Sequence, residues 1–188
     1  MKLVCIFAHK KNTLLSIQFD NSDSDEFSKA FNQWQDIEYL EQFFEENKKD
    51  LQREFYGNIS VEDAVAETIE ESRDFENHIR QIAIRGTRDN ESNLNNIVFK
   101  TLNNYETSLI HQKSKAYGLV NKSWLRIYAI RISANIFVVS GSAIKLTFEM
   151  KDRKHTNEEL NKLKKTAQYL KDEGFIDESD YGFIEINN

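Results

Sequence analysis

Proline, cysteine and long apolar runs are scarce or absent in this chain of 188 residues. The single cysteine, Cys5, excludes an internal disulfide framework, and its apolar surroundings predict a strand residue rather than a nucleophile. With no proline, the usual sequence marker of a linker between domains is missing. No apolar run approaches the roughly 18 residues of a membrane span, and the apolar start lacks a cleavage site. We therefore expect a cytoplasmic protein without membrane association.

Motifs for common enzyme chemistries are also absent. The sequence has no glycine-rich phosphate loop, no H-E-x-x-H segment, no paired cysteines and no G-x-S-x-G elbow. Its four histidines, His9, His78, His111 and His155, lie far apart. We therefore expect neither a metal site nor a cofactor.

Charge is distributed unevenly along the chain. Residues 20–83 hold 18 acidic and 6 basic residues, whereas residues 98–171 hold 14 basic and 5 acidic residues. Residues 172–188 hold 6 acidic residues and no basic ones. This asymmetry indicates a polyanionic partner for the basic part, although acidic helices with solvated outer faces would produce the same pattern.

Hydrophobic periodicity predicts one α+β domain. We expect an antiparallel or mixed sheet of about five strands, an N-terminal helical hairpin and a C-terminal helix. The predicted parts are a β-hairpin over 1–20, the helical hairpin over 24–84, a connector over 85–123, a strand meander and helix over 124–175, and an acidic tail over 176–188. Within the connector, residues 95–104 fit a short strand or a helical turn equally well.

Local signals place several of these boundaries. Residues 21–26 and Ser60 have the side chains of helix starts, and Gly174 suits a helix end. Tight turns are predicted at 133–135 and 140–142, and Thr156 with Glu159 forms a predicted capping box. Alternation puts Arg126 and Tyr128 on one face of their strand, with Arg131 out of phase.

Cations, a tyrosine and a histidine are concentrated in the last third of the chain. The group comprises Arg126, Tyr128, Arg131, Lys145, Lys151, Arg153, Lys154 and His155, with Lys162 and Lys165 on the following helix. RNA cleavage without a metal needs a base, an acid and cations that offset charge on the phosphate. Histidine titrates near neutral pH, which makes His155 the candidate base or acid. The same cations would equally form a phosphate-binding patch without catalysis, and His155 would then only precede a helix.

Three segments resemble the C-terminal half of the RelE/HigB superfamily, toxins of phage- and plasmid-associated toxin–antitoxin pairs. They are Trp124–Arg131, Gly141–Thr147 and Met150–Leu163. The resemblance implies a ribosome-dependent mRNA endonuclease that is inhibited by a small helix-turn-helix antitoxin. It also implies that Lys145 and Arg126 contact RNA phosphate and that His155 or Tyr128 transfers protons.

The leading hypothesis from the sequence is an RNA-directed, toxin-like protein. Its candidate catalytic residues are His155, Tyr128, Arg126 and Lys145, and its candidate RNA-binding residues are Arg131, Lys151, Arg153, Lys154, Lys162 and Lys165. One alternative is a non-catalytic interaction module whose acidic helices bind a basic partner. Another is that the acidic tail masks the basic helix.

Overall fold

The computed structural model describes residues 1–6, 14–102, 111–147 and 153–175. Within these ranges the strands are β1 (Lys2–Cys5), β2 (Leu14–Gln18), β3 (Phe99–Thr101), β4 (Gln112–Tyr117), β5 (Leu125–Arg131) and β6 (Phe137–Ile144). The helices are α1 (Glu26–Trp34), α2 (Ile37–Glu46), α3 (Lys48–Leu51), α4 (Val61–Arg85), α5 (Leu94–Ile97) and α6 (Lys154–Asp172). One turn of 3₁₀ helix lies at Glu54–Tyr56.

The strands form one mixed sheet in the order β1-β2-β6-β5-β4-β3. The β2–β6 pair is parallel and the other neighbours are antiparallel. This confirms the α+β class with a mixed sheet, although the described part has six strands rather than about five. The N-terminal β-hairpin is also confirmed, with Leu3 paired to Ile17.

Each face of the sheet carries its own hydrophobic core. Leu125, Ile127 and Ala129 of β5 belong to a large core that also includes buried side chains of α1, α2 and α4. Tyr128 and Ile130 point to the opposite face, where a smaller core includes Leu163 and Leu170 of α6. The sheet therefore lies between a layer of several helices and a single C-terminal helix.

The predicted two-helix hairpin is divided more finely than expected. The first long helix is broken at Asp36, whose carboxylate accepts a hydrogen bond from the amide of Tyr39 and starts α2, and again at Asn47. The second predicted helix, α4, is confirmed, and Ser60 caps it by accepting from the amide of Asp63. An apolar stripe at spacings of three and four, Phe27, Phe31, Trp34, Ile37, Leu40 and Phe44, predicts one continuous helix. All of these side chains are in the large core except Ile37, which is 56% exposed at the start of α2.

The predicted connector contributes to the fold itself. Residues 95–104, for which helix and strand were both open, contain the end of α5 and then β3. β4 follows within the predicted connector over 85–123. The polar residues of β4 alternate with buried ones, so the strand is half-exposed and lacks a continuous apolar signal.

The predicted turn at 140–142 is wrong, since these residues lie inside β6. The pairing passes from Tyr128–Gly141 to Ala129–Val139, which leaves Ser140 as the extra residue of a β-bulge. The Ser140 hydroxyl donates to the carbonyl of Tyr128, at 3.3 Å. A short serine and a glycine are thus accommodated by a bulge rather than by a reversal of the chain.

The ends of α6 differ in how well they were predicted. The helix starts at Lys154, two residues before Thr156, and the Thr156 hydroxyl donates to the carbonyl of Arg153. The predicted capping box does not form, because Glu159 accepts from the amide of Ser142 instead. Gly174 ends the helix as expected, with φ of 76° and a bond from the amide of Phe175 to the carbonyl of Leu170.

Some predictions fall outside the described residues, namely the acidic tail over 176–188 and the position of Lys151. Among the helices of the described residues, none has the length and apolar composition of a membrane-spanning segment.

Candidate functional site

Three strands place basic side chains together on the face of the sheet that α6 partly covers. The pairing puts Lys100 of β3 opposite Lys115 of β4, and Lys115 opposite Tyr128 of β5. One step along, Tyr117 is opposite Arg126. Paired residues of antiparallel strands point to the same side, and Tyr128 and Ile130 mark that side as the one facing α6. We call the group Lys100, Lys113, Lys115, Tyr117 and Arg126 the basic sheet face.

Arg126 is held in place by an aromatic ring and by backbone carbonyls. Its guanidinium carbon lies 4.2 Å from the centroid of the Tyr117 ring, and one nitrogen donates to the carbonyls of Ser123 and Leu125. Burial lowers the pKa of Arg126. Because the pKa of a guanidinium starts far above neutral, the side chain stays charged at neutral pH. Because these contacts fix the side chain, its charge has a defined position at the start of β5.

Tyr117 is the exposed aromatic residue of this face. Its side chain is 42% exposed, and the Lys115 ammonium lies 5.5 Å from its ring centroid, in addition to the stacked Arg126. The Lys115 ammonium also donates to the carbonyl of Leu102. An exposed ring with positive charges beside it is the combination that binds a base by stacking and a phosphate by charge.

The sequence around this face is almost free of acidic residues. Residues 98–147 hold seven Lys or Arg and a single acid, Glu106, which lies outside the described residues. Lys164 and Lys171 are exposed on α6 and, seven residues apart, share one side of it. Lys162 and Lys165 are on the other side, where they line a groove with Phe19 and Asp20 of the β2 end. Lys164 and Lys171 are therefore on the side of α6 that is turned away from β2, which in the sheet order is the side of β5 and β4.

The second proton-transfer candidate, Tyr128, is buried beneath this face. Its side chain is 1% exposed, and its hydroxyl has no hydrogen-bond partner among the described residues. Burial raises the pKa of Tyr128. A proton-transfer role for Tyr128 stays a prediction, and the burial of its hydroxyl does not favour it.

Lys145 lies next to the strand that carries Arg126, because its amide donates to the carbonyl of Trp124 at 2.7 Å and Ala143 is paired with Arg126. A ring nitrogen of His155 is 3.1 Å from the carbonyl oxygen of Ile144, and the ring contacts Phe43 edge to face. Lys145 directly follows β6, and its carbonyl accepts from the Tyr56 hydroxyl. His155 lines a cleft of about 300 Å³ between α1, α2, β6 and α6. Lys145 is thus near Arg126 in the sheet, whereas the ring of His155 is on the side of the β6 end that faces α2.

The same cleft contains a buried ionic cluster. The Lys162 ammonium lies 2.7 Å from a carboxylate oxygen of Glu26 and 2.8 Å from one of Glu159. The other oxygen of Glu159 accepts from the amide of Ser142, at 2.9 Å. Burial raises the pKa of Glu159 to about 7, against the opposing effect of the lysine. Lys162 is therefore engaged within the protein.

The remaining candidate RNA-binding residues are dispersed. Arg153 makes two hydrogen bonds to the buried carboxylate of Asp50, each of 2.7 Å. Lys154 is highly exposed, 3.8 Å from Glu158, and Lys165 is exposed on the far side of α6. Arg131 lies on the opposite face of β5 from Arg126, as its phase predicted. Of this group and the catalytic candidates, the basic sheet face includes Arg126 alone.

Four members of the basic sheet face were missed from the sequence. Lys100, Lys113, Lys115 and Tyr117 all lie in the segment that was assigned as a connector. The signal was present in the strict alternation of polar and small residues over 112–117, which is typical of a half-buried strand.

Within the described ranges, no group of three or more His, Cys, Asp or Glu side chains is arranged to hold a metal ion. Comparisons with protein-family models, with curated proteins and with solved structures find no match to this chain. The similarity to the RelE/HigB superfamily therefore remains a prediction from the quoted segments.

Proposed function

We propose that the protein is an RNA-directed, toxin-like protein that binds RNA on its basic sheet face. The observation that supports this most is the pairing of Lys100, Lys115, Tyr117 and Arg126 across three strands, in a region with one acidic residue. Binding a polyanion to such a face releases counterions and is favourable at moderate salt.

The stacked Tyr117 and Arg126 pair adds a contact for bases. An aromatic ring on an exposed sheet face stacks with any base, and this stacking contributes on the order of 1–3 kcal/mol per base. The α6 lysines on the adjoining side of the helix extend the positive surface. The proposed RNA contact is consequently a surface shared by β3, β4, β5 and α6.

The RelE/HigB-like segments coincide with β5, the second half of β6 and the first part of α6. In this proposal, the activity is ribosome-dependent cleavage of mRNA, with a small helix-turn-helix antitoxin as the inhibiting partner. Arg126 contacts phosphate from the basic sheet face, while Lys145 and His155 act at the end of β6. His155 would reach substrate through the cleft that it lines with Phe43 and Glu159.

A cell-free translation assay tests the activity directly. Purified protein is added to a coupled system, and the template mRNA is then mapped by primer extension. The expected result is arrested synthesis with discrete cuts that require ribosomes. Lys145→Ala and Lys115→Ala should each restore synthesis, because both remove a positive charge that the proposal assigns to RNA.

Lys49→Ala is the matched control for this assay. Lys49 is an exposed lysine of α3, in the helical layer and not on the basic sheet face. Its substitution therefore removes one positive charge from a different part of the surface. Undisturbed translation with intact message, from protein shown to be folded, would exclude the toxin activity. RNA binding without cleavage would support the basic sheet face as an RNA contact and would exclude the proposed cleavage of mRNA.

A further inference from the structure

An exposed apolar surface lies on the side of the sheet opposite the basic sheet face. Phe55 and Val120 are 56% and 54% exposed, and the adjoining Leu119 is 47% exposed. Phe55 and Val120 line a cavity of about 240 Å³ together with Ile59 and Trp124. Several large apolar side chains exposed together are characteristic of a contact surface rather than of scattered surface residues.

The loop that carries Leu119 and Val120 is fixed by hydrogen bonds to α4. The Glu71 carboxylate of α4 accepts from the amide of Val120 and from the hydroxyl of Ser123, each at 3.0 Å. Gly118 allows this approach, since a Cβ there would lie 2.2 Å from the carboxylate. The two apolar side chains are therefore held outward, and little ordering is needed when a partner binds.

Phe55, on the other border of the cavity, is also held by contacts within the protein. The Lys122 ammonium donates to the carbonyl of Phe55 at 2.9 Å and lies 4.9 Å from the centroid of its ring. Tyr56 packs edge to face on Phe55 and on Trp124, which forms the wall of the cavity. Both borders of the cavity are thus ordered in the free protein.

The charge around this cavity is negative on balance. Glu54, Glu67 and Glu71 line it, against one lining cation, Lys122, whose ammonium contacts the ring and the carbonyl of Phe55. Glu62, Asp63 and Glu70 are exposed on α4 nearby. Burial and the neighbouring Asp63, Glu71 and Glu70 raise the pKa of Glu67, which reflects the crowding of like charges.

From this combination we infer that the cavity and its rim are a docking surface for a basic amphipathic segment of a partner protein. An apolar side chain of the partner enters the cavity between Phe55 and Val120, and its Lys or Arg residues pair with the α4 carboxylates. Opposite charges across such an interface speed association and fix the orientation of the partner. The proposal does not rest on the RNA contact, because the cavity is lined by the helical layer and the β4–β5 loop; the two surfaces adjoin at Ser123, whose carbonyl accepts from Arg126.

A synthetic helix of 18 residues, with leucine on one face and lysine on the other, is the probe for this surface. Its binding is measured by isothermal titration calorimetry, with a second peptide that carries glutamate in place of lysine. Val120→Ser and Glu67→Lys should each weaken the lysine peptide by about five-fold or more, because central apolar anchors and desolvated charges dominate interface energy. The glutamate peptide should bind none of these proteins measurably.

Ile37→Ser is the matched control, since Ile37 is 56% exposed at the start of α2 and does not line the cavity. It should leave the affinity for the lysine peptide unchanged. Chemical shifts of the amides over 119–122 should move when the peptide is added. Equal affinity of wild type, Val120→Ser and Glu67→Lys, with shifts elsewhere, would overturn the proposal, as would equal binding of the two peptides.

Discussion

Glu159 shows how one side chain of this protein serves several elements. Its carboxylate binds the amide of Ser142 on β6 and the ammonium of Lys162 on its own helix, while Lys162 reaches Glu26 of α1. The amide of Ser142 needs this partner because β2 pairs with β6 only along 137–139. A polar group left at the divergence of two strands is thus satisfied by a helix of another layer.

The raised pKa of Glu159 makes a pH-dependent contribution to stability. Its folded-state pKa is about 7 and its ordinary value is 4.5, so the folded protein binds more protons between these limits. The contribution to the free energy of unfolding therefore falls as the pH rises from about 4.5 to 7, and is level above that range. Glu159→Gln should remove this fall, on the order of 2 kcal/mol between pH 5 and 8 at about 1.4 kcal/mol per pKa unit.

Urea unfolding at several pH values measures the effect of Glu159→Gln. The control is Glu158→Gln, which changes the neighbouring exposed carboxylate of α6. This variant should keep the pH dependence of the wild type. An unchanged pH dependence in Glu159→Gln would show that the carboxylate of Glu159 ionises in the folded protein as it does in the unfolded chain.

At the scale of elements, β6 is the strand on which the fold depends most. It pairs with β2 and β5, is covered by α1 on one face and by α6 on the other, and contains the bulge at Ser140. Gly141 follows the bulge at the point where Glu159 approaches. A Cβ at Gly141 would lie only 1.8 Å from the nearer carboxylate oxygen.

Gly141→Ala should therefore displace Glu159 and lower the free energy of unfolding by about 2 kcal/mol, the range for a lost charge-assisted hydrogen bond. Ser142→Ala is the control, because Glu159 binds the backbone amide of Ser142, which alanine retains. Chemical denaturation should show little change in that variant. Equal stability of Gly141→Ala and wild type would mean that α6 shifts without cost.

Elements with strong local signals could be predicted from the sequence. The β1–β2 hairpin has apolar alternation, α4 has Ser60 as its cap, and Gly174 has the positive φ of a helix end. The breaks at Asp36 and Asn47 interrupt an unbroken aromatic stripe, so hydrophobic periodicity could not reveal them. The bulge in β6 lies at Ser140, where a serine and a glycine are equally typical of a turn, and the contact of Glu159 with Ser142 spans 17 residues, which local patterns do not contain.

The candidate site was predicted only in part for a similar reason. The phases of Arg126, Tyr128 and Arg131 on β5 followed from alternation within one strand. The neighbouring strands β3 and β4 are short, and their cations become a surface only when the pairing is known. Arg153 and Lys162, two of the RNA-binding candidates, are bound by carboxylates of α3 and α1 that are distant in sequence, and Lys162 also by Glu159 of its own helix.

Over the whole molecule, the charge asymmetry of the sequence becomes an asymmetry between two sides. The cations of β3, β4 and β5 are on the side that faces α6, whereas the acidic residues of α2 and α4 are on the opposite side of the sheet. A polyanion therefore meets an attractive field on one side and a repulsive field on the other. This separation makes an overall net charge of −6 compatible with the proposed RNA binding.

The most direct test of this account is the salt dependence of RNA binding by two triple variants. One replaces Lys100, Lys113 and Lys115 of the basic sheet face with alanine. The other replaces the exposed Lys48, Lys49 and Arg73 of the helical layer, so that both variants lose the same charge. Fluorescence anisotropy with a single-stranded RNA, across a range of salt concentrations, yields the slope of log affinity against log salt.

The variant of the basic sheet face should bind RNA weakly, with a slope that is smaller by about 2, since each phosphate contact on a single strand contributes about 0.7. The helical-layer variant should match the wild type in affinity and slope. Equal losses in the two variants would mean that only net charge matters, and the absence of RNA binding by folded wild-type protein would contradict the account entirely.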